Sequence, residues 1–143
     1  MRNHRFIVFT LSIIIFFASL FLETFHINNG HPTAWSLGLA NLILGIFSGN
    51  ISWLANIFKI PPWILTYKKS GLPIVFSLIA SILAFSFYIN GKIIINEAGH
   101  TGKVSKYLVG YWVWFSSMTS YLIYHIVILI MERMKNKSAI NFV

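Results

Sequence analysis

Five side chains that could ligate a metal or move a proton sit in two polar stretches of this 143-residue chain: Glu23, His26 and His31 in ETFHINNGH, and Glu97 and His100 in NEAGH. Zinc takes imidazole and carboxylate donors of this kind. The spacing is not that of a helical zinc site, because His26 and His31 are five apart in a segment that contains Gly30 and is followed by Pro32, whereas such a site places two histidines at i and i+4. These residues are therefore expected to be solvated loop side chains. No metal is assigned, and His26, His31, Glu97 and His100 are the residues one would use.

A sixth titratable group, His125, stands alone in a long apolar run. An ionisable residue in such a run either packs against polar neighbours or marks a proton or ligand site. The templates of catalysis are missing: the chain has no Gly-rich phosphate loop, no nucleophile elbow and no HExxH, and its only carboxylates are Glu23, Glu97 and Glu132. The expectation is a non-enzymatic protein with no catalytic residues and no cofactor. The absence of cysteine excludes disulfides and thiolate metal sites.

The elements that must position these residues are apolar. The chain is 57% hydrophobic and 10% charged, where soluble domains carry about 25% charged residues. The apolar residues fall into four blocks, about 6–25, 34–58, 72–89 and 107–131, each close to the roughly 20 residues that span a bilayer as a helix. TFHINNGHP after the first block lacks the small-residue pattern of signal cleavage, so that block is expected to remain as a span. The expected fold class is all-α: a single membrane domain over 1–143, an antiparallel bundle of four transmembrane helices.

Lys and Arg give the orientation. Arg2, Arg5, Lys59, Lys68, Lys69, Arg133, Lys135 and Lys137 fall on one side of such a bundle, and only Lys92, Lys103 and Lys106 on the other. The positive-inside rule then puts both termini in the cytoplasm. This asymmetry and anionic lipid account for the net charge of +8 without nucleic acid. Lys59, followed by Pro61 and Pro62, is expected at the headgroup level where the second helix ends, with Trp63, Ile64, Leu65 and Tyr67 along the inner surface. The run Ile93 to Ile95, followed by a turn cluster, is expected to form a short outer hairpin. The Ile-, Asn- and Lys-rich composition with short loops points to a bacterial inner membrane.

Small and polar residues mark the expected interior faces, since helices in lipid associate through close approach and cross-helix hydrogen bonds. On a continuous second helix, Gly38, Asn41, Gly45, Ser48, Gly49, Ser52 and Asn56 fall within about 100° of one another. Ser70, Pro73, Ser77, Ala80, Ser81, Ala84 and Tyr88 do the same on the third, and Gly110, Trp114, Ser117, Tyr121 and Tyr124 on the fourth. Tyr107, Tyr111 and Trp112 are expected in the outer aromatic belt.

With NEAG at 96–99 ahead of GYWVWFSS at 110–117, and SWLAN at 52–56, the chain resembles a group of small four-span bacterial membrane proteins of unassigned function. The resemblance covers most of spans two to four and implies the four-span fold, but no activity, cofactor or site residue. The family pattern has Pro directly after the Asn, where this chain has Ile57 and the first Pro comes at 61. The functional expectation is a protein that binds another membrane protein, with immunity against a pore-forming toxin as the concrete case. A small oligomeric channel or transporter, or an accessory subunit of a larger complex, are the alternatives. Its partners would be the lipid bilayer and another membrane protein or further copies of itself.

Overall fold

The structure, a computed structural model, describes residues 2–27, 37–65, 71–94 and 100–140, with side chains from 4 to 134 within those ranges. His31, Glu97, Tyr67, Lys68, Lys69, Ser70 and the start of the second apolar block lie outside the described residues. The chain is mostly helical: α1 (Arg2–Leu20), α2 (Gly38–Leu44), α3 (Ala55–Leu65), α4 (Leu72–Asn90) and α5 (Val109–Ile140). A small sheet of β1 (Phe25–Ile27), β2 (Lys92–Ile94) and β3 (Thr101–Tyr107), in the order β1-β3-β2 and antiparallel throughout, closes one end. The hairpin expected from Ile93 onward is β2–β3. The three-residue β1 that joins it was not foreseen.

Two helices, Leu72–Asn90 and Val109–Met134, are long and apolar enough to cross a membrane, and α1 offers a shorter apolar run, His4–Leu20. The second apolar block is not one helix. Gly38–Phe47 and Ile51–Leu65 meet at a bend of 115°, with 3-10 turns at Gly45–Phe47 and Ile51–Leu54 on either side. Gly49 sits in the bend at φ +65, a left-handed conformation that costs other residues about 1–2 kcal/mol. The projected stripe from Gly38 to Asn56 is thereby corrected: Gly45 and Gly49 do not form a helix–helix contact pair. Gly45 lies beneath the Trp53 indole, and Gly49 faces Ile94.

The prolines do not end the helix either. α3 runs through Pro61 and Pro62 to Leu65, so only the hydrogen bonds that their missing N–H groups would have given to Ile57 and Phe58 are lost.

α1 packs on α5, α5 on α4, and α4 on α3. Ser12 against Ser117 and Arg5 against Glu132 show α1 and α5 running in opposite directions. Ser52 against Ser86 and Phe58 against Phe76 show the same for α3 and α4. The helical faces are close to those projected. Pro73, Ser77, Ala80, Ser81 and Ala84 are buried, but the end of the α4 stripe is Phe87, and Tyr88 is exposed. Tyr111, expected at the surface, is 2% exposed and donates to the Ala84 carbonyl at 3.1 Å.

The sheet is tied to the helices by backbone contact. Leu22 accepts from Gly38 N at 3.0 Å, and Glu23 accepts from Gly110 N at 2.9 Å. A Cβ on Gly110 would stand 2.6 Å from the Glu23 carbonyl oxygen, and one on Gly38 would strike the Ser19 carbonyl and come within 2.9 Å of Leu20 Cα. Tyr107 Oη donates to the last-turn carbonyls of α4, Phe87 at 2.6 Å and Tyr88 at 3.2 Å. Burial, then the neighbouring Tyr88, pushes the Tyr107 phenol up to about 12.

Gly38→Ala and Gly110→Ala should each lower stability by about 1–3 kcal/mol, because backbone would have to move. Gly71→Ala, with open space around it, should leave the thermal melt in detergent unchanged; equal melts for all three would contradict these close approaches. Because the Tyr107 phenol is raised, its contribution is full below pH 10, its unfolded value, and is lost as pH rises toward 12. Tyr107→Phe should therefore cost about 1 kcal/mol at neutral pH and lose less stability than wild type between pH 10 and 12, read by alkaline denaturation.

Candidate functional site

α3 and α5 run parallel and are joined by three side-chain hydrogen bonds, about one per turn. Trp114 Nε1 donates to Asn56 Oδ1 at 2.9 Å, Lys59 Nζ donates to Ser117 Oγ, and Tyr121 Oη donates to the Pro62 carbonyl at 3.3 Å. The spacing Asn56, Lys59, Pro62 matches Trp114, Ser117, Tyr121 because residues three and four apart share a helical face. Asn56, Trp114, Ser117 and Tyr121 are among the residues expected to face inward. Lys59 is not.

Lys59 is the largest departure from the sequence reading. It was expected at a headgroup level, yet it is 3% exposed. It lies opposite Ser117, which is eight residues into α5, about 12 Å from the start of that helix at 1.5 Å per residue. Its ammonium lies over two aromatic faces, 4.6 Å from the Phe16 ring centre and 5.1 Å from that of Trp63. Trp63 is thus a wall of this cluster rather than an interfacial anchor, and its Nε1 donates to Ser12 Oγ at 3.2 Å. Ser12 in turn donates to the Ser117 carbonyl at 3.3 Å, and Ser117 to that of Trp114 at 2.6 Å.

No carboxylate among the described residues pairs with Lys59: Glu132 holds Arg5 at 3.0 Å and Glu23 lies 3.6 Å from His26. Desolvating an ammonium costs several kcal/mol. Two cation–π contacts return roughly 0.5–2 kcal/mol each, and one charge-assisted hydrogen bond about 1.5–3 kcal/mol. The cluster is close to break-even as it stands.

Above this cluster, toward the sheet, lies a partly open cleft with a cavity volume of about 50 Å³. Its polar wall is Thr24, Asn41, Asn50, Ser52, Asn56 and the Trp53 and Trp114 indoles, and among the described residues its lining carries no ionisable acid or base other than the Tyr111 phenol. Gly38, Asn41, Ser52, Asn56 and Trp114, all named from the sequence, meet here, while Gly45, Gly49, Gly110, Ser117 and Tyr121 lie outside the lining. The bend forms the cleft. Ser48 Oγ donates to the Gly45 carbonyl, Trp53 Nε1 to that of Leu42, and Asn50 Nδ2 to that of Lys92 in β2.

His125 lies one turn beyond Tyr121, its ring edge-on to the Tyr121 ring at 4.7 Å. Its Nε2 is buried without a hydrogen-bond partner among the described residues. The outer-loop candidates do not assemble into a site among the described residues, where no group of three or more His, Cys, Asp or Glu converges. His26 is half-buried beside Glu23 and His100 is exposed. No family model, curated protein or solved structure matches the chain.

Replacing a buried ion by an apolar side chain of similar volume is often neutral or stabilising. Lys59→Met should therefore melt at or above the wild-type temperature. A loss above about 2 kcal/mol would mean that the ammonium holds the bundle together.

Proposed function

We propose that the chain is a non-enzymatic integral membrane protein of the bacterial inner membrane that acts by binding another membrane protein, with immunity against a pore-forming toxin as the concrete case. In this reading α1, α3 with its preceding 3-10 turn, α4 and α5 make four crossings with both termini in the cytoplasm, and α2 lies across the outer end. The observation that carries it is the cleft at the sheet end, walled by amides, hydroxyls and indoles that suit recognition. The Lys/Arg asymmetry supports the orientation, since Lys92, Lys103 and Lys106 belong to the sheet end and Arg5 and Arg133 to the other.

A second reading, a small oligomeric channel or transporter, is favoured by one observation. The polar groups Trp114, Ser117, Tyr121 and His125 follow one another along α5 from the cleft toward the Arg5–Glu132 pair, with Lys59 beside them. An accessory subunit would use the same cleft on a larger partner.

Alkaline phosphatase fused after Ile140 should be inactive, and fused after Thr101 it should be active; the reverse pattern would overturn the topology. Purified protein in liposomes should pass no ion above the empty-vesicle level at pH 5.5 or 7.5, and substitutions in the cleft should abolish protection against a co-encoded pore-former. Flux that changes its pH dependence in His125→Ala would replace binding with the pathway reading.

A further inference from the structure

We infer that Lys59 and the floor of the cleft form a binding site for one small monovalent anion, of halide or carboxylate size. The inference does not rest on the binding-partner reading. Three observations converge on it.

The first is the deficit at Lys59. When protonated, Lys59 has three N–H donors and only one hydrogen-bond acceptor, Ser117 Oγ, at 3% exposure, so its charged form lacks partners that an anion would supply. The Phe16 and Trp63 faces take part of the charge. They do not neutralise it, and no carboxylate among the described residues does so.

The second is where the deficit lies. On each of the three helices around Lys59, the residue one turn toward the sheet end lines the cleft: Ser19 above Phe16, Asn56 above Lys59, and Trp114 above Ser117. The Asn56–Trp114 hydrogen bond, at 2.9 Å, is the floor that separates cleft from ammonium. An anion that parts this pair finds the Trp114 indole N–H and the Asn56 amide as neutral donors, and Lys59 directly beneath.

The third is charge type. Among the described residues the cleft lining has no carboxylate to repel an anion and no second cation to hold a divalent one. An anion that enters together with a proton on Lys59 leaves the site neutral, which fits a single negative charge such as chloride or acetate and not sulfate or phosphate. The aromatic and apolar surround, with Tyr111, Phe87 and Leu20 among the lining residues, excludes large hydrated anions.

The site carries its own reporters, since Trp53 and Trp114 line the cleft and Trp63 touches the ammonium. The full chain in phosphatidylcholine nanodiscs would be titrated with sodium chloride, and separately with sodium acetate, against sodium gluconate at constant sodium, reading tryptophan fluorescence. Wild type should give a saturable change with either probe. Lys59→Met and Lys59→Gln should weaken it at least tenfold. Asn56→Leu, which keeps the charge and fills the floor, should do the same and decides the matter if the Lys59 variants do not fold. The double substitution Lys92→Gln with Lys103→Gln, on the exposed sheet, should stay within twofold of wild type. A wild-type response that does not saturate, or one that survives both the loss of Lys59 and the filling of the floor, overturns the inference. So does a response that ignores both probes and appears only in phosphatidylglycerol discs, which would place the anion on the lipid surface.

Discussion

The packing of α4 against both α3 and α5 is the constraint on which the rest of the structure depends, and three side-chain hydrogen bonds then fix α3 parallel to α5. Each hydrogen bond across packed apolar helices contributes only about 0.6 kcal/mol on average. Their larger effect is geometric. With Trp114 on Asn56, Lys59 on Ser117 and Tyr121 on the Pro62 carbonyl, α3 can neither slide nor rotate against α5 without breaking all three at once. α4 runs antiparallel to both, and Ser12 and Arg5 fix α1 along the outside of α5.

The break lies ahead of Ile51: Ile51–Leu65 keeps one axis and Gly38–Phe47 meets it at 115°, so the backbone groups exposed around residues 48–50 need partners. Local side chains supply most of them. Asn50 accepts from Ser52 N at 2.9 Å, Ser48 Oγ and Trp53 Nε1 satisfy carbonyls of Gly45 and Leu42, and Ile94 N reaches the Ser48 carbonyl at 3.4 Å. The sheet is therefore a partner of the break as well as a cap. β3 pairs on both sides, with β1 and β2, and β2 turns its far edge to residues 48–50. The cleft is what remains between the bent segment, the sheet and the floor made by Asn56 and Trp114.

How much of this could be read in the sequence differs from element to element for physical reasons. α4 was legible almost residue by residue, since a helix with small residues on one side and large ones on the other has one sensible way to pack. Only its end differed, where the Tyr107 hydroxyl takes the last-turn carbonyls, Phe87 turns inward and Tyr88 stays outside. The inward Trp114, Ser117 and Tyr121 were equally readable, while α5 starts at Val109 and not at 107 because Tyr107 ends β3. The break was not. Gly45, Ser48, Gly49, Asn50 and Ser52 are spaced as a packing stripe, and the same residue types are those that make turns. Periodicity alone cannot choose between the two. β1 was invisible for another reason: its three residues become a strand only by pairing with residues about 80 positions later in the chain.

The candidate site was half legible for a related cause. Asn41, Ser52, Asn56 and Trp114 were found because polar residues in an apolar chain need partners, and a cleft or a cross-helix bond supplies them. Lys59 was missed because a double proline ordinarily ends a helix, and a lysine two residues ahead of it reads as a last-turn cation at a headgroup rather than as part of a packed face. Here the double proline does not end the helix, because Pro61 and Pro62 fall in the last turns of an eleven-residue helix. There the lost bonds are few, and the Pro62 carbonyl gains the Tyr121 hydroxyl. Lys59 lies beneath the cleft because the face of α3 that carries it is turned toward Phe16, Trp63 and Ser117. A lysine at the surface is solvated, whereas one inside must either give up its proton or gain a counter-charge, so the face on which it falls, which periodicity before a double proline does not reveal, decides its chemistry.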